Sequence, residues 1–350
     1  MIKKIFWIIL AAAVILLLGG CNGPETTENP ADSPAANAAV KDSAGREIKM
    51  PANLKRVIVL NSSAFNMITA IGAADTIIGV NDSTQKSEAA AAGKEAFGSF
   101  MQPYVEKIIA AGPDAVIVNS MMNSTQVKQL EDAGITVISL EFYLPSILQD
   151  EIVTLGKLFN REAQAQKYAD FIMKYRNLIE SRVKDIRPEN KVAVYFEGYS
   201  EYSTVARGSG GDELVTGAGG INIAGRETVK YPKVSAEWVL EKKPQVVVKT
   251  ISSNSKAMGE GFTDKTAVQA VYDGIISRTG WNELAAVKNN KVLLLAQNIG
   301  TTPEGSIIGM LYMAKTMYPD KFADIDPYEV YKQMEKEFFN IDPKGIIVFP

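Results

Sequence analysis

The sequence predicts an α/β fold: two doubly wound lobes, each with a mostly parallel sheet, joined by one long α-helix. Three observations carry this. Short continuous apolar runs alternate with segments of helical spacing, the pattern of buried parallel strands crossed over by helices. From Ile147 to about Ile186 the spacing is helical almost throughout and strand patterning restarts after it, which suits a helix joining two lobes better than a core helix of one large domain. One frame occurs twice, as EKIIAAGPDAVIV from Glu106 to Val118 and EWVLEKKPQVVVK from Glu237 to Lys249, with the same Glu-to-Pro spacing. Two like halves follow from it.

In order along the chain, Asp42-Ser43-Ala44-Gly45-Arg46 between short alternating segments suits a small β-hairpin. Arg56–Leu60 reads as a buried strand, and Asn61, Ser62 and Ser63 as loop and N-cap of a helix from Ala64 to Ile71 that stops at Gly72. Thr76–Val80 is the next strand. Glu106–Ala111 is a helix and Ala115–Val118 its strand; Thr125–Ala133 is helical, Gly134 ends it, and Ile135–Leu140 is a strand. In the long helical stretch, Gly156 and Asn160-Arg161 suggest two helices. The second, at ~25 residues, would span nearly 40 Å. Strand patterning restarts at Lys191–Phe196, followed by a helix at Asp212–Thr216, the segment Ala218–Ala224, the second copy of the frame, Trp281–Val287 and the strand Lys291–Ala296.

The N-terminus differs from the rest. Lys3 and Lys4 precede an apolar run from Ile5 to Leu18 that is shorter than the ~20 residues of a membrane-spanning helix, so residues 1–20 read as a secretory signal. Leu18-Gly19-Gly20-Cys21 is similar to a bacterial lipobox, and Cys21 is the single cysteine of the chain, so it is the expected lipidation site. Residues 21–39, rich in Pro, Ala, Asn and acidic residues, read as a flexible tether. The expected division of the remainder is 40–160 for the first lobe, 161–188 for the connecting helix and 189–350 for the second lobe.

A net charge of −3 over 350 residues offers no basic face for nucleic acid. The chain contains no histidine, which removes Ser-His-Asp and Cys-His nucleophile systems, His-ligated zinc and every His acid–base mechanism. Enzymes using paired carboxylates, Tyr or Lys stay open. A Glu in a first helical turn is favoured by the helix dipole, so either copy of the frame alone could be simple capping.

Asp42-x-x-Gly45-Arg46 before Pro51, Ile71-Gly72-Ala73-x-Asp75 to Gly79-Val80, the two Glu frames, Gly219-Gly220-x-Asn222-Ile223-Ala224, and Ala314-Lys315 to Tyr318-Pro319 with Phe322 together resemble the substrate-binding proteins of ABC importers for iron-siderophores, haem and cobalamin. The resemblance spans nearly the whole chain beyond the tether. It implies the long-helix-linked (class III) periplasmic-binding-protein architecture with little hinge motion and a cleft between lobes. It implies no enzymatic activity and no cofactor, a metal-chelate ligand, an extracytoplasmic location with lipid anchoring at the membrane, and an ABC permease dimer with its ATPase as partner. It also gives Glu106 and Glu237 a role, one per lobe, docking on arginines of the permease. A monomer is expected.

In open α/β sheets ligands lie beyond the carboxyl ends of the strands. The candidate ligand-binding residues are therefore Asn61, Ser62, Asn81, Asp82, Tyr104, Phe142 and Tyr143 in the first lobe, and Tyr199, Tyr202, Arg207, Lys249 and Asn298 in the second. With Arg207 and Lys249 as the clear cations of these loops, a neutral or mixed-charge ligand is expected over a strongly anionic one. Asp82, Glu141 and Glu197 could instead bind a bare metal ion. A chelatase-like or hydrolytic cell-surface enzyme and a ligand-sensing domain are the alternatives, because one fold hosts many functions.

Overall fold

A computed structural model describes residues 39–49, 54–300 and 302–350. The signal, Cys21 and nearly all of the expected tether lie outside them. The strands, in chain order, are β1 (Ala39–Lys41), β2 (Glu47–Lys49), β3 (Val57–Val59), β4 (Ile77–Val80), β5 (Glu95–Ala96), β6 (Ala115–Val118), β7 (Thr136–Ser139), β8 (Ala193–Glu197), β9 (Ile221–Asn222), β10 (Val246–Ile251), β11 (Gly259–Glu260), β12 (Val292–Ala296), β13 (Gly345–Ile346) and β14 (Val348–Phe349). β1 and β2 form the expected hairpin; Asp42 closes its turn through the Ala44 and Arg46 backbone N–H groups and pins it to β7 through the Ser139 N–H.

Two five-stranded sheets carry the molecule. The first runs β5-β4-β3-β6-β7, parallel throughout, and the second β14-β12-β10-β8-β9, parallel except for the edge strand β14. Setting β3 beside β8, β6 beside β10 and β7 beside β12 makes the halves the same design. In each, the repeated frame forms a seven-residue helix, Val105–Ala111 or Ala236–Lys242, that ends in a left-handed residue, Gly112 or Lys243, and feeds the strand. Glycine adopts that conformation without strain; in the second half a lysine bears it.

Helix Leu148–Leu158 is followed by the 22-residue helix Glu162–Val183, about 33 Å long. The break falls at Asn160, whose φ is +52°, and not at Gly156. Gly156 is inside a helix because a Cβ there would come within 2.5 Å of the Ala165 Cβ, so the two helices can touch only at a glycine.

Side-chain alternation divides the first sheet between two cores. Ile58, Leu60, Val116, Val118 and Val137 face a small private cluster with Phe97, Ile108 and Leu130. Val57, Val59, Ile117 and Ile138 face a continuous core that runs through the long helix and helix Pro303–Met317 to Val194, Val247 and Leu294 of the second sheet. The halves therefore share apolar interior, and a large hydrophobic junction resists relative motion.

Candidate functional site

A cavity of about 660 Å³ opens between the two halves at the carboxyl ends of the strands. The loop after β6 brings Met121 to it, and the loop after β7 brings Tyr143 and Pro145. The second half supplies Phe196 and Gly198 at the end of β8, Tyr199, Thr250 of β10, Lys230, Tyr231 and the start of helix Gly210–Gly217. Thr302 and Ser306 complete the wall. The wall is apolar and aromatic with scattered hydroxyls. Among the described residues it contains one ionisable cation, Lys230, and no carboxylate.

Tyr143 is placed by the residue before it. Glu151, buried on helix Leu148–Leu158, accepts from the Glu141 and Phe142 N–H groups at 2.7 and 2.6 Å. Phe142, with φ +57°, is turned fully into the core, and Tyr143 faces the cavity. The same loop fastens the halves together. Ser146 donates through its N–H and hydroxyl to both oxygens of Glu213, at 2.8 and 2.9 Å, and Arg176 reaches the Pro145 carbonyl at 2.8 Å. The segment that carries Lys230 runs against residues 204–206, with Ala206 N–H on the Lys230 carbonyl and Thr204 N–H on that of Pro232. Its Nζ donates across the cleft to the Tyr143 hydroxyl at 3.2 Å and lies 5.2 and 5.9 Å from the Tyr143 and Tyr231 ring centres. Partial burial would lower this amine, but the Tyr143 hydroxyl, with smaller contributions from Tyr231 and Glu141, more than offsets that and raises it.

Behind this wall lies a charged cluster. Glu197, 1 % exposed, takes Lys249 at 3.0 Å and a two-pronged Arg278 at 2.9 and 3.0 Å, and also accepts from the Tyr195 hydroxyl and the Tyr202 N–H. Arg278 reaches Glu201 as well and stacks over Tyr202 and Trp281, at 5.0 and 4.6 Å. Burial would raise the Glu197 carboxyl, but Arg278 and Lys249 outweigh it and hold it below the usual range; burial lowers Lys249. The charges here balance, two cations against two carboxylates.

Of the residues expected at the ligand, the structure brings Tyr143 and Tyr199 to the cavity wall. The others lie elsewhere, for identifiable reasons. Phe142 is core. Asn61 caps helix Ser62–Ala70 and bonds the Leu140 carbonyl, while Asn81 caps helix Asp82–Ser87 and bonds the Leu60 carbonyl and Ser62. Asp82 accepts from Gly98 N–H and from the Tyr104 hydroxyl at 3.3 Å. Lys249 and Tyr202 belong to the ion cluster, Lys249 and Tyr199 also bordering a second hollow of about 370 Å³ on the same half. Arg207 is exposed, and Asn298 donates to the Tyr331 hydroxyl. The three carboxylates that could have held a bare ion are engaged separately: Asp82 as above, Glu141 by the Ser120 N–H, Glu197 by its cations. Among the described residues no group of three or more acidic or cysteine side chains is arranged to hold a metal ion. Lys230 and Tyr231 escaped sequence reasoning because they follow no long apolar strand. Their signal was the aromatic-cation run Lys230-Tyr231-Pro232-Lys233.

Residues 57–299 match the model of the periplasmic binding protein family. The chain belongs to this family. As a member it is an extracytoplasmic substrate-binding protein of an ABC importer. It is 22% identical to the molybdate-binding protein MolA of Haemophilus influenzae, over 89% of this chain and 93% of that protein. It is 27% identical to the vitamin B12-binding protein of Vibrio cholerae, over 70% and 82%. Among solved structures, the TroA-like periplasmic binding protein FepB of Veillonella parvula superposes with a TM-score of 0.76 at 22% identity, covering 89% of this chain and 99% of that one.

Proposed function

We propose that this family member captures a metal chelate of siderophore, haem or corrinoid type in the cleft between its halves and hands it to its permease, a siderophore being the favoured ligand. Residues 40–160 and 189–350 act as the two lobes and 161–188 as the stiff connector, with Cys21 as the lipid anchor. The observation that carries the ligand class is the cleft wall. At about 660 Å³ it has room for on the order of twenty water-sized groups of ~30 Å³ each, far more than a bare ion or small oxyanion needs. Its faces are Tyr143, Phe196, Tyr199 and Tyr231, which pack well on planar or macrocyclic bodies, and among the described residues it has no carboxylate to take the place of a chelator.

Delivery rests on Glu106 and Glu237. Both are exposed in the first turn of their helices. In an α/β unit a helix runs antiparallel to the strand it feeds, so both carboxylates lie toward the edge where the cleft opens. Two charges held on a rigid body define an orientation on a partner as well as an attraction. Titration of the purified protein against ferric siderophores, haemin and cobalamin, followed by intrinsic Tyr and Trp fluorescence, tests the ligand class. Saturable binding of at least one chelate is expected; binding of free ferric ion or molybdate with none of the chelates would overturn the reading.

A further inference from the structure

Among the described residues Lys230 is the one charge on the cleft wall, and it differs from the cations of the cluster behind that wall. Lys249 and Arg278 are neutralised within the protein by Glu197 and Glu201. Lys230, among the described residues, has no ion pair. An ammonium carries three donors, and one of them goes to the Tyr143 hydroxyl. Around it are the ring faces of Tyr143 and Tyr231 and an apolar wall. A cleft-lining ammonium with donors to spare can give an incoming anionic oxygen charge-assisted hydrogen bonds.

We propose that Lys230 is the charge-selecting residue of the cleft, and that the ligand presents an anionic oxygen, from a carboxylate or a phenolate, to its ammonium between the rings of Tyr143 and Tyr231. This rests on the reading of the cleft as the chelate site and deepens it: the ligand is an anionic chelate, not a neutral one. One unbalanced ammonium, rather than a cluster, matches a ligand of low charge or one whose charge is concentrated on one edge. The contact also spans the two halves, since Tyr143 comes from the first and Lys230 from the second. Occupancy by an anion would therefore fasten the cleft from both walls at once.

The test compares purified full-length wild type, Lys230→Gln, Lys230→Arg and Tyr143→Phe in detergent, each titrated with an anionic ferric tris-catecholate, haemin with its carboxylates, a neutral ferric tris-hydroxamate and cobalamin. Wild type is expected to bind an anionic probe more tightly than the neutral ones. Lys230→Gln should weaken that binding by about 10- to 100-fold, as loss of a charge-assisted hydrogen bond does, while Lys230→Arg retains most of it. The Lys230→Gln loss should shrink at high salt, and binding of the neutral probes should change little. The two anionic probes separate phenolate from carboxylate recognition. Binding of the neutral hydroxamate or cobalamin in preference, with Lys230→Gln unchanged, would overturn the charge-selecting role while leaving the chelate reading standing. Failure of all four probes to bind wild type would remove the chelate reading and this inference with it. An equal loss for neutral and anionic probes in Lys230→Gln, with circular dichroism unchanged, would reduce Lys230 to a structural brace and also overturn the role.

Discussion

Lys230 and Lys249 are both lysines of the second half, and their surroundings give them opposite work. Lys249, at the end of an apolar strand, is where sequence reading looks for a ligand contact, yet it is paired with Glu197 at 3.0 Å. That pairing was not legible because the third partner, Arg278, lies 81 residues from Glu197 along the chain. Adjacent positions show the same limit: Phe142 and Tyr143 read alike in the sequence, and the left-handed turn at Phe142 sends one inward and the other to the cleft. Removing one member of a buried ion cluster leaves the others uncompensated. Glu197→Gln should therefore destabilise the protein by about 3–5 kcal/mol in denaturant unfolding, with chelate binding to the remaining folded fraction retained. A loss near zero would mean that the cluster is solvated in solution.

At the scale of elements the sequence was more informative. The alternation of apolar strands and helices placed both sheets, and the double Glu frame anticipated two helices of equal length feeding equivalent strands β6 and β10. Less legible were close approaches. Gly210 opens helix Gly210–Gly217 where a Cβ would lie 2.7 Å from the Tyr143 carbonyl oxygen, a contact between halves that no local pattern reports. Gly210→Ala should cost about 1–3 kcal/mol by forcing the loop and helix apart, visible as a lowered Tm together with weakened chelate binding. Exchanging the carboxylates of the frame should do neither. Glu106→Gln with Glu237→Gln is expected to reduce chelate uptake by whole cells with affinity of the purified protein intact; a loss of affinity would contradict the docking role, and so would undiminished uptake.

For the whole molecule, the shared core and the seam between halves set the behaviour. Asn66 of the first half donates to Glu304 of the second at 2.7 Å, inside the junction. Burial pushes the Glu304 carboxyl up to about 7, and burial with Glu304, Glu260 and Glu88 nearby pushes Glu335 up to about 8. In the unfolded chain both ionise near 4.5, so between about pH 4.5 and 8 the folded protein holds more protons than the unfolded one. Their stabilising contribution is full below that window and is lost as pH rises through it, at roughly 1.4 kcal/mol per pH unit for each proton retained. Thermal unfolding of Glu304→Gln with Glu335→Gln across pH 5–8.5 should flatten this fall; an unchanged slope would show that the two carboxyls are ionised in the folded protein. The same continuous core predicts little closure on binding, so the cleft seen here should be close to the loaded one. A crystal structure of the protein loaded with a ferric chelate tests this most directly. We expect the chelate in the 660 Å³ cleft, against Phe196 and between Tyr143 and Tyr231, with the halves little moved. A cleft left empty, with a bare metal ion held instead by Asp82, Glu141 or Glu197, would contradict the account.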